Sequence, residues 1–234
     1  MAFAHDTRSR VSRAYSVSAD SSAFFKDAAV SLGRGKEVLE FGSGLGRLSR
    51  RLADVAASVV GIDISPVAVD LARGGGIRSG LRYEVMDAEA TQFDDASFDL
   101  VVGKSVLHHL DLDRACKEVR RLVRTGGAAL FLEPLATHAA IRLFRWLTPR
   151  LRSADEHPLT RRDLRRLARY FSIRRLHYFH ILSVFVGPIV HRAFGRWLAE
   201  ALARVDRNLL KAFPWAQRFA WIVIAYAEID DASA

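Results

Sequence analysis

The sequence predicts an α/β fold, a mostly parallel sheet with helices on both faces. Two observations carry that reading. Between residues 38 and 132, short apolar runs of strand length alternate regularly with stretches of helical spacing. In addition, successive strands carry an acid at or next to their ends, Glu40, Asp63 and Asp87. Open parallel sheets bind ligands at those carboxyl ends.

The elements follow in order. The residues before Leu32 read as a helix with Phe24, Phe25, Ala28 and Val30 as its apolar members, and a turn follows at Gly33 to Gly35. Residues 37–41 (EVLEF) form a buried strand that runs into Gly42-Ser43-Gly44-Leu45-Gly46, and Leu48 and Leu52 then mark a helix. Residues 58–62 form a second strand ending at Asp63, after which Ser65-Pro66 offers an N-cap and a first-turn proline. Residues 81–85 and 98–102 are the third and fourth strands. A helix over 113–123 is expected to stop at Gly126-Gly127, before a fifth strand at 128–132.

Beyond residue 134 the alternation breaks. Helices are expected over 141–147, 161–170 and 191–213, and strands over 173–179 and 220–229. On the long helix, Trp197, Leu198, Ala201, Leu202, Val205 and Leu209 form an apolar stripe.

The chain has 234 residues, half of them hydrophobic and 26% charged, which fits one domain with insertions. The lone cysteine, Cys116, cannot form an internal disulfide, and the polar start MAFAHDTRSR lacks the apolar stretch of a secretion signal. The most apolar windows, 179–190 and 219–229, are too short to span a bilayer, so a cytoplasmic location is expected. The net charge of +9 comes mainly from arginines, dense over 142–175 and 192–218. Such a surface attracts anionic partners, a membrane surface among them. No nucleic-acid module is recognisable, and nucleic acid is not the expected partner.

The glycine run carries the chemistry. Small residues at a strand tip let backbone approach a ligand, and the next helix offers free N–H groups. Its G-x-G-x-G spacing differs from the G-x-G-x-x-G of dinucleotide-binding loops, and Glu40 precedes it as a partner for a cationic or amine-bearing ligand. The alternative is a tight strand–helix turn with no ligand. Asp63 is placed to hold a ribose diol with both oxygens, Ile64 to cover an adenine face, and Asp87 with Ala88 to meet its exocyclic amine.

The run VLEFGSGLGRLSRRLA resembles motif I of the class I S-adenosylmethionine-dependent methyltransferases. VVGIDIS resembles their second motif, MDAEA their third-strand acid, FDLVVGKSVLHHL their fourth strand and RLVRTGGAALFLEP their fifth. The resemblance implies a Rossmann-like sheet of seven strands with an antiparallel last strand, here residues 221–228. It implies S-adenosyl-L-methionine as cofactor on a core at 37–134, with Gly42, Ser43, Gly44 and Gly46 at the methionine part. Asp63 and Ile64 would then meet the ribose and adenine, Asp87 and Ala88 the adenine edge, and Lys104 would join the cofactor-binding set. The whole of 1–234 would be one methyltransferase domain, with helical lid insertions at 137–160 and 187–219. The flank RLFRWLTPRLRSADEHPLT resembles bacterial small-molecule methyltransferases of glycan or secondary-metabolite pathways, so a small, partly hydrophobic acceptor is expected. An RNA methyltransferase and a non-catalytic S-adenosylmethionine-binding module are the alternatives.

A hydroxyl acceptor needs a base, and histidine suits that role. His157 ranks first, in a polar loop where Asp155 and Glu156 could orient it, and His109, after the fourth strand, ranks second. His138, His177, His180 and His191 read as surface or lid residues. No Cys/His metal spacing is present, and no metal is expected.

Overall fold

A computed structural model of the chain describes residues 18–76, 78–148 and 156–230. Seven strands form one sheet: β1 Glu37–Phe41, β2 Ser58–Asp63, β3 Leu81–Val85, β4 Phe98–Lys104, β5 Val123–Pro134, β6 Ser172–Phe179 and β7 Ile222–Glu228. The helices are α1 Ala19–Leu32, α2 Arg47–Leu52, α3 Pro66–Arg73, α4 Leu112–Leu122, α5 Ala139–Leu147, α6 Arg161–Leu167 and α7 Ala193–Ala212. Spatial strand order is β3-β2-β1-β4-β5-β7-β6. β1 pairs parallel with β2 and β4, β2 with β3, and β4 with β5. The last strand runs the other way, because Gly126 N donates to Ile229 O (2.8 Å) and Ile229 N to Gly127 O (3.0 Å). The sheet is the Rossmann-like one the motifs imply.

The chain divides into two compact units. The larger comprises Phe25–Glu133, Arg161–Leu176 and Ile224–Ala234. Its central strands read as continuous apolar runs because both sheet faces are covered, and Val38, Leu39, Phe41 and Leu100 to Val102 are fully buried. Ser65 caps α3 by accepting from Ala68 N (3.3 Å), and Asp111 caps α4 through Arg114 N (3.0 Å). Within α1, Phe25 and Ala29 are buried, whereas Ala28 and Val30 are half-buried.

The pair Gly126-Gly127 does not end the helix as expected. α4 stops at Leu122 and β5 starts at once with Val123. Gly126 sits inside the strand at φ +78°, next to a register shift between Phe98 and Leu100. A Cβ on Gly127 would press on Val123 Cγ1 (2.6 Å) and the Asp99 carbonyl oxygen (2.8 Å). The glycines serve an irregularity in the strand and the close approach of β7.

The second unit comprises Met1–Phe24, Pro134–Thr160 and His177–Val223. On its long helix α7 the apolar stripe is exposed or half-buried. Gly195, Ala203, Asp206 and Leu210 face inward, while Trp197 is 60% and Val205 47% exposed. The inward acid is satisfied: its carboxylate accepts the backbone N–H of Ile181 (3.0 Å), Leu182 (2.8 Å) and Ser183 (3.0 Å), and the Ser183 hydroxyl (2.8 Å). Four donors to one carboxylate offset the cost of burying it. His180 and His138, expected on the surface or in the lid, are both buried. The His180 ring lies between the hydroxyls of Ser21 (2.9 Å) and Ser183 (3.0 Å), and desolvation pulls its pKa down to about 4. Among the described residues, no helix is long and apolar enough to cross a membrane.

Candidate functional site

The glycine loop and four strand ends meet in the larger unit. The chain runs from β1 to β2 and β3 on one side, then returns to β4 on the other side of β1. In open α/β sheets ligands bind at such a reversal, outside the carboxyl ends of the strands. Gly42, Gly44 and Gly46 there adopt φ +65°, +51° and +69°. Gly46 N donates to Ser43 O (2.8 Å), and Ser43 N donates to Ile62 O (2.8 Å), so the loop is tied to β2. At Gly46 a Cβ would lie 2.6 Å from Tyr83 Cζ, whose hydroxyl donates to the Gly46 carbonyl (3.1 Å). Gly44 has open space where its Cβ would be, so what it leaves free is room outside the protein.

Asp63 locks this geometry from β2. One carboxylate oxygen accepts Gly44 N (2.8 Å) and the other Ser65 N (2.9 Å). Each oxygen keeps a further lone pair for a ligand hydroxyl. Among the described residues, the Ser43 hydroxyl is the one buried side-chain polar atom without a hydrogen-bond partner. Such an atom costs about 1–3 kcal/mol and points to a ligand group that completes it.

Glu40 lies in the buried run of β1, one residue before its end, 4% exposed, and accepts from the Ser49 hydroxyl. Burial pushes its carboxyl up to about 8; the Ser49 hydrogen bond opposes this and the charge of Asp63 adds to it. The folded chain therefore holds Glu40 protonated at a pH where the unfolded chain has it ionised. Its share of stability is present below the ordinary value of 4.5 and is lost as pH rises toward 8. Glu40→Gln keeps an acceptor for Ser49 and cannot ionise. It is expected to gain stability on the natural chain between about pH 5 and about pH 8, read from urea melts at the two pH values. A stability difference that does not change with pH would refute the protonated state.

The remaining strand-tip candidates fall where the motifs put them. Ile64 is 74% exposed, and Leu45 and Val85 also stand out from the surface near the strand ends. Asp87 is exposed and braces its own turn by accepting Glu89 N (2.8 Å), with Ala88 buried beside it. Lys104 ends β4 with its ammonium held below the usual lysine value, first by desolvation, then by Lys26 and Arg47. The structure thus gathers Glu40, the glycine loop, Asp63, Ile64, Asp87, Ala88 and Lys104 at four neighbouring strand ends.

One further anchor has almost no signature in the sequence. Glu133, at the end of β5 and 1% exposed, accepts Val106 N and Leu107 N (both 2.9 Å) and the Nδ1 of His108 (2.7 Å). It pins the loop after β4 and fixes the His108 ring. Its one sequence signal is an acid closing an apolar strand. His109 is exposed, its ring 4.2 Å from that of His108. His157 is exposed and belongs to the second unit. Asp155 lies outside the described residues, and Glu156 is engaged by Arg145 (2.6 Å) rather than by His157. Cys116 is buried, which pushes its thiol up to about 12. Among the described residues, no group of three or more His, Cys, Asp or Glu is placed to hold a metal.

The donor set suits an adenosine-bearing, amine-bearing ligand: a two-oxygen acid for a diol, an unpartnered hydroxyl, a buried carboxyl, and apolar surface for a flat ring. Residues 39–131 match the family described as methyltransferase domain. A ubiquinone biosynthesis O-methyltransferase of Coxiella burnetii is 34% identical over 101 residues, 42% of this chain and 43% of that protein. The chain spans about half the length, or less, of the curated relatives it matches. Among solved structures, the geranyl diphosphate C-methyltransferase of Streptomyces coelicolor superposes with a TM-score of 0.63 at 17% identity, over 89% of this chain and 79% of that one. The (4+2)-cyclase SpnF superposes with a TM-score of 0.62 at 21% identity, over 88% and 80%. At these identities the structural likeness speaks for the fold.

Proposed function

We propose, from the premise that residues 39–131 are a methyltransferase domain of the class I S-adenosylmethionine-dependent type, that the chain transfers a methyl group to a small, partly hydrophobic acceptor. The observation that carries this reading is the strand-end donor set, with Asp63 bound through both oxygens to loop backbone and the Ser43 hydroxyl left open. S-adenosylmethionine supplies an electrophilic methyl group on sulfur when bound. Asp63 would hold the ribose hydroxyls, and Ile64 would cover the adenine with Asp87 and Ala88 at its edge. The glycine loop and Ser43 would take the methionine part, with Glu40 beneath its ammonium. Methyl transfer is an in-line displacement, so alignment and exclusion of water supply most of what the protein must contribute. The relative's name, an O-methyltransferase of ubiquinone biosynthesis, and the geranyl diphosphate of a structural neighbour favour a small apolar acceptor.

A second reading has a specific observation behind it. The cyclase SpnF shares the fold, so a chain of this architecture need not methylate. Incubation with labelled S-adenosylmethionine and panels of phenolic, terpenoid and RNA acceptors separates the readings. Product from a small acceptor supports the proposal, and product from RNA alone overturns its acceptor class. Asp63→Ala is expected to weaken S-adenosylhomocysteine binding by about tenfold to a thousandfold, because two charge-assisted hydrogen bonds and the brace on Gly44 go together. Calorimetry giving an unchanged affinity would refute the assignment of Asp63.

A further inference from the structure

Helix α5 in the second unit is built inside out. No residue of Ala139–Leu147 is buried. Leu143, Trp146 and Leu147, spaced as one helical face, are 57%, 74% and 63% exposed. The opposite side carries polar ties instead. Arg145 pairs with Glu156 at 2.6 Å, both side chains largely buried, and the buried His138 at the N-cap sets its Nε2 2.9 Å from Ile181 O. A helix that serves only its own domain turns its apolar stripe inward and its charges outward. Here the fold anchors α5 through charge and displays the stripe.

The same unit repeats the pattern. Phe194 and Trp197 stack at 5.8 Å on the exposed start of α7. Trp215 and Phe219 stand out from the turn Pro214–Phe219, with the Arg218 guanidinium over both rings at 5.5 and 4.9 Å. Three of the four tryptophans of the chain are thus exposed, and all three lie in this unit; Trp221 is buried. Among the described residues its acids are largely spent: Asp20 pairs with Arg207, Glu156 with Arg145, and Asp206 is buried. Glu200 remains against exposed Arg142, Arg192, Arg196, Arg204, Lys211 and Arg218.

We infer that the Leu143–Trp146–Leu147 face is a membrane-docking surface that lies among the headgroups of a bilayer carrying anionic lipid. Tryptophan tips with arginines beside them suit the headgroup boundary, where one end of a side chain is apolar and the other wet. The positive surface supplies attraction to anionic lipid. A second copy would bring the same positive charge to the same face. Protruding indoles fit a deformable surface better than a preformed protein pocket.

The test is flotation of the full chain with phosphatidylcholine vesicles, with and without about one third phosphatidylglycerol. Binding is expected to the anionic vesicles, weakening as salt is raised. Leu143→Ser with Trp146→Ser is expected to reduce it by about tenfold or more while S-adenosylhomocysteine affinity stays unchanged. That affinity also separates a failure here from a failure of the cofactor site. No partition into anionic vesicles, or equal partition of the natural chain and the double variant, overturns the inference. So does self-association in sedimentation that the double variant abolishes without any vesicle binding, which would make the face an interface between copies. A rise in acceptor KM in the variant without vesicle binding would make it a lid.

Discussion

Gly46→Val is expected to abolish measurable cofactor binding, a loss of more than about a hundredfold, together with several kcal/mol of stability. Two costs act at one position. The residue sits at φ +69° as the N-cap of α2, a conformation that a β-branched side chain resists. Its new Cβ would also occupy the Tyr83 phenol, a side chain only 6% exposed and bonded back to the Gly46 carbonyl. To admit it, Tyr83 must leave the space it shares with Gly61, where a Cβ would stand 2.8 Å from its ring, so β2, β3 and the loop shift together. Gly44→Ala is the contrast. It bears the cost of φ +51° but meets no protein atom within 4 Å, so the melting temperature should fall less. Any loss of affinity there reports ligand crowding. Calorimetry with S-adenosylhomocysteine and thermal melts of both variants check this. Normal affinity in Gly46→Val would show that the loop does not cradle the cofactor.

What the sequence made legible were features coded locally. A buried parallel strand is a continuous apolar run, so the charged residue that breaks the run marks the strand end. Asp63 is accordingly the last residue of β2. The capping serine before α3 and the proline that opens it are likewise a local code. What stayed hidden depends on contacts between distant segments. Glu133 matters because the backbone of Val106 and Leu107, 26 or more residues earlier, folds onto it. The inward face of α7 is set by small residues and Asp206, and Asp206 is tolerable there only because the amides at 181–183 point at it. Hydrophobic periodicity ranks Trp197 and Val205 above these residues, although both are exposed. The inverted α5 escapes for the same reason: its period is helical, but the Arg145–Glu156 ion pair that fixes its orientation is tertiary.

A hydroxyl acceptor must lose its proton as the oxygen attacks the methyl carbon, and the largest kinetic effect should fall on the group that takes it. His109 and His157 are the two candidates, and their surroundings differ. The Glu156 carboxylate beside His157 is engaged by Arg145, which removes one support for an oriented ring there. His109 lies in the same unit as the strand-end donor set, its ring tilted against that of His108, whose own ring is held by the buried Glu133. We therefore place His109 first. His109→Ala is expected to lower kcat by about 10²- to 10⁴-fold, the range for a positioned general base, and to leave S-adenosylhomocysteine affinity intact. His157→Ala, assayed beside it, should stay within a few-fold of the natural rate. The opposite pattern would transfer the role to His157. Full activity in both variants across pH would mean that the acceptor atom carries no proton that must leave.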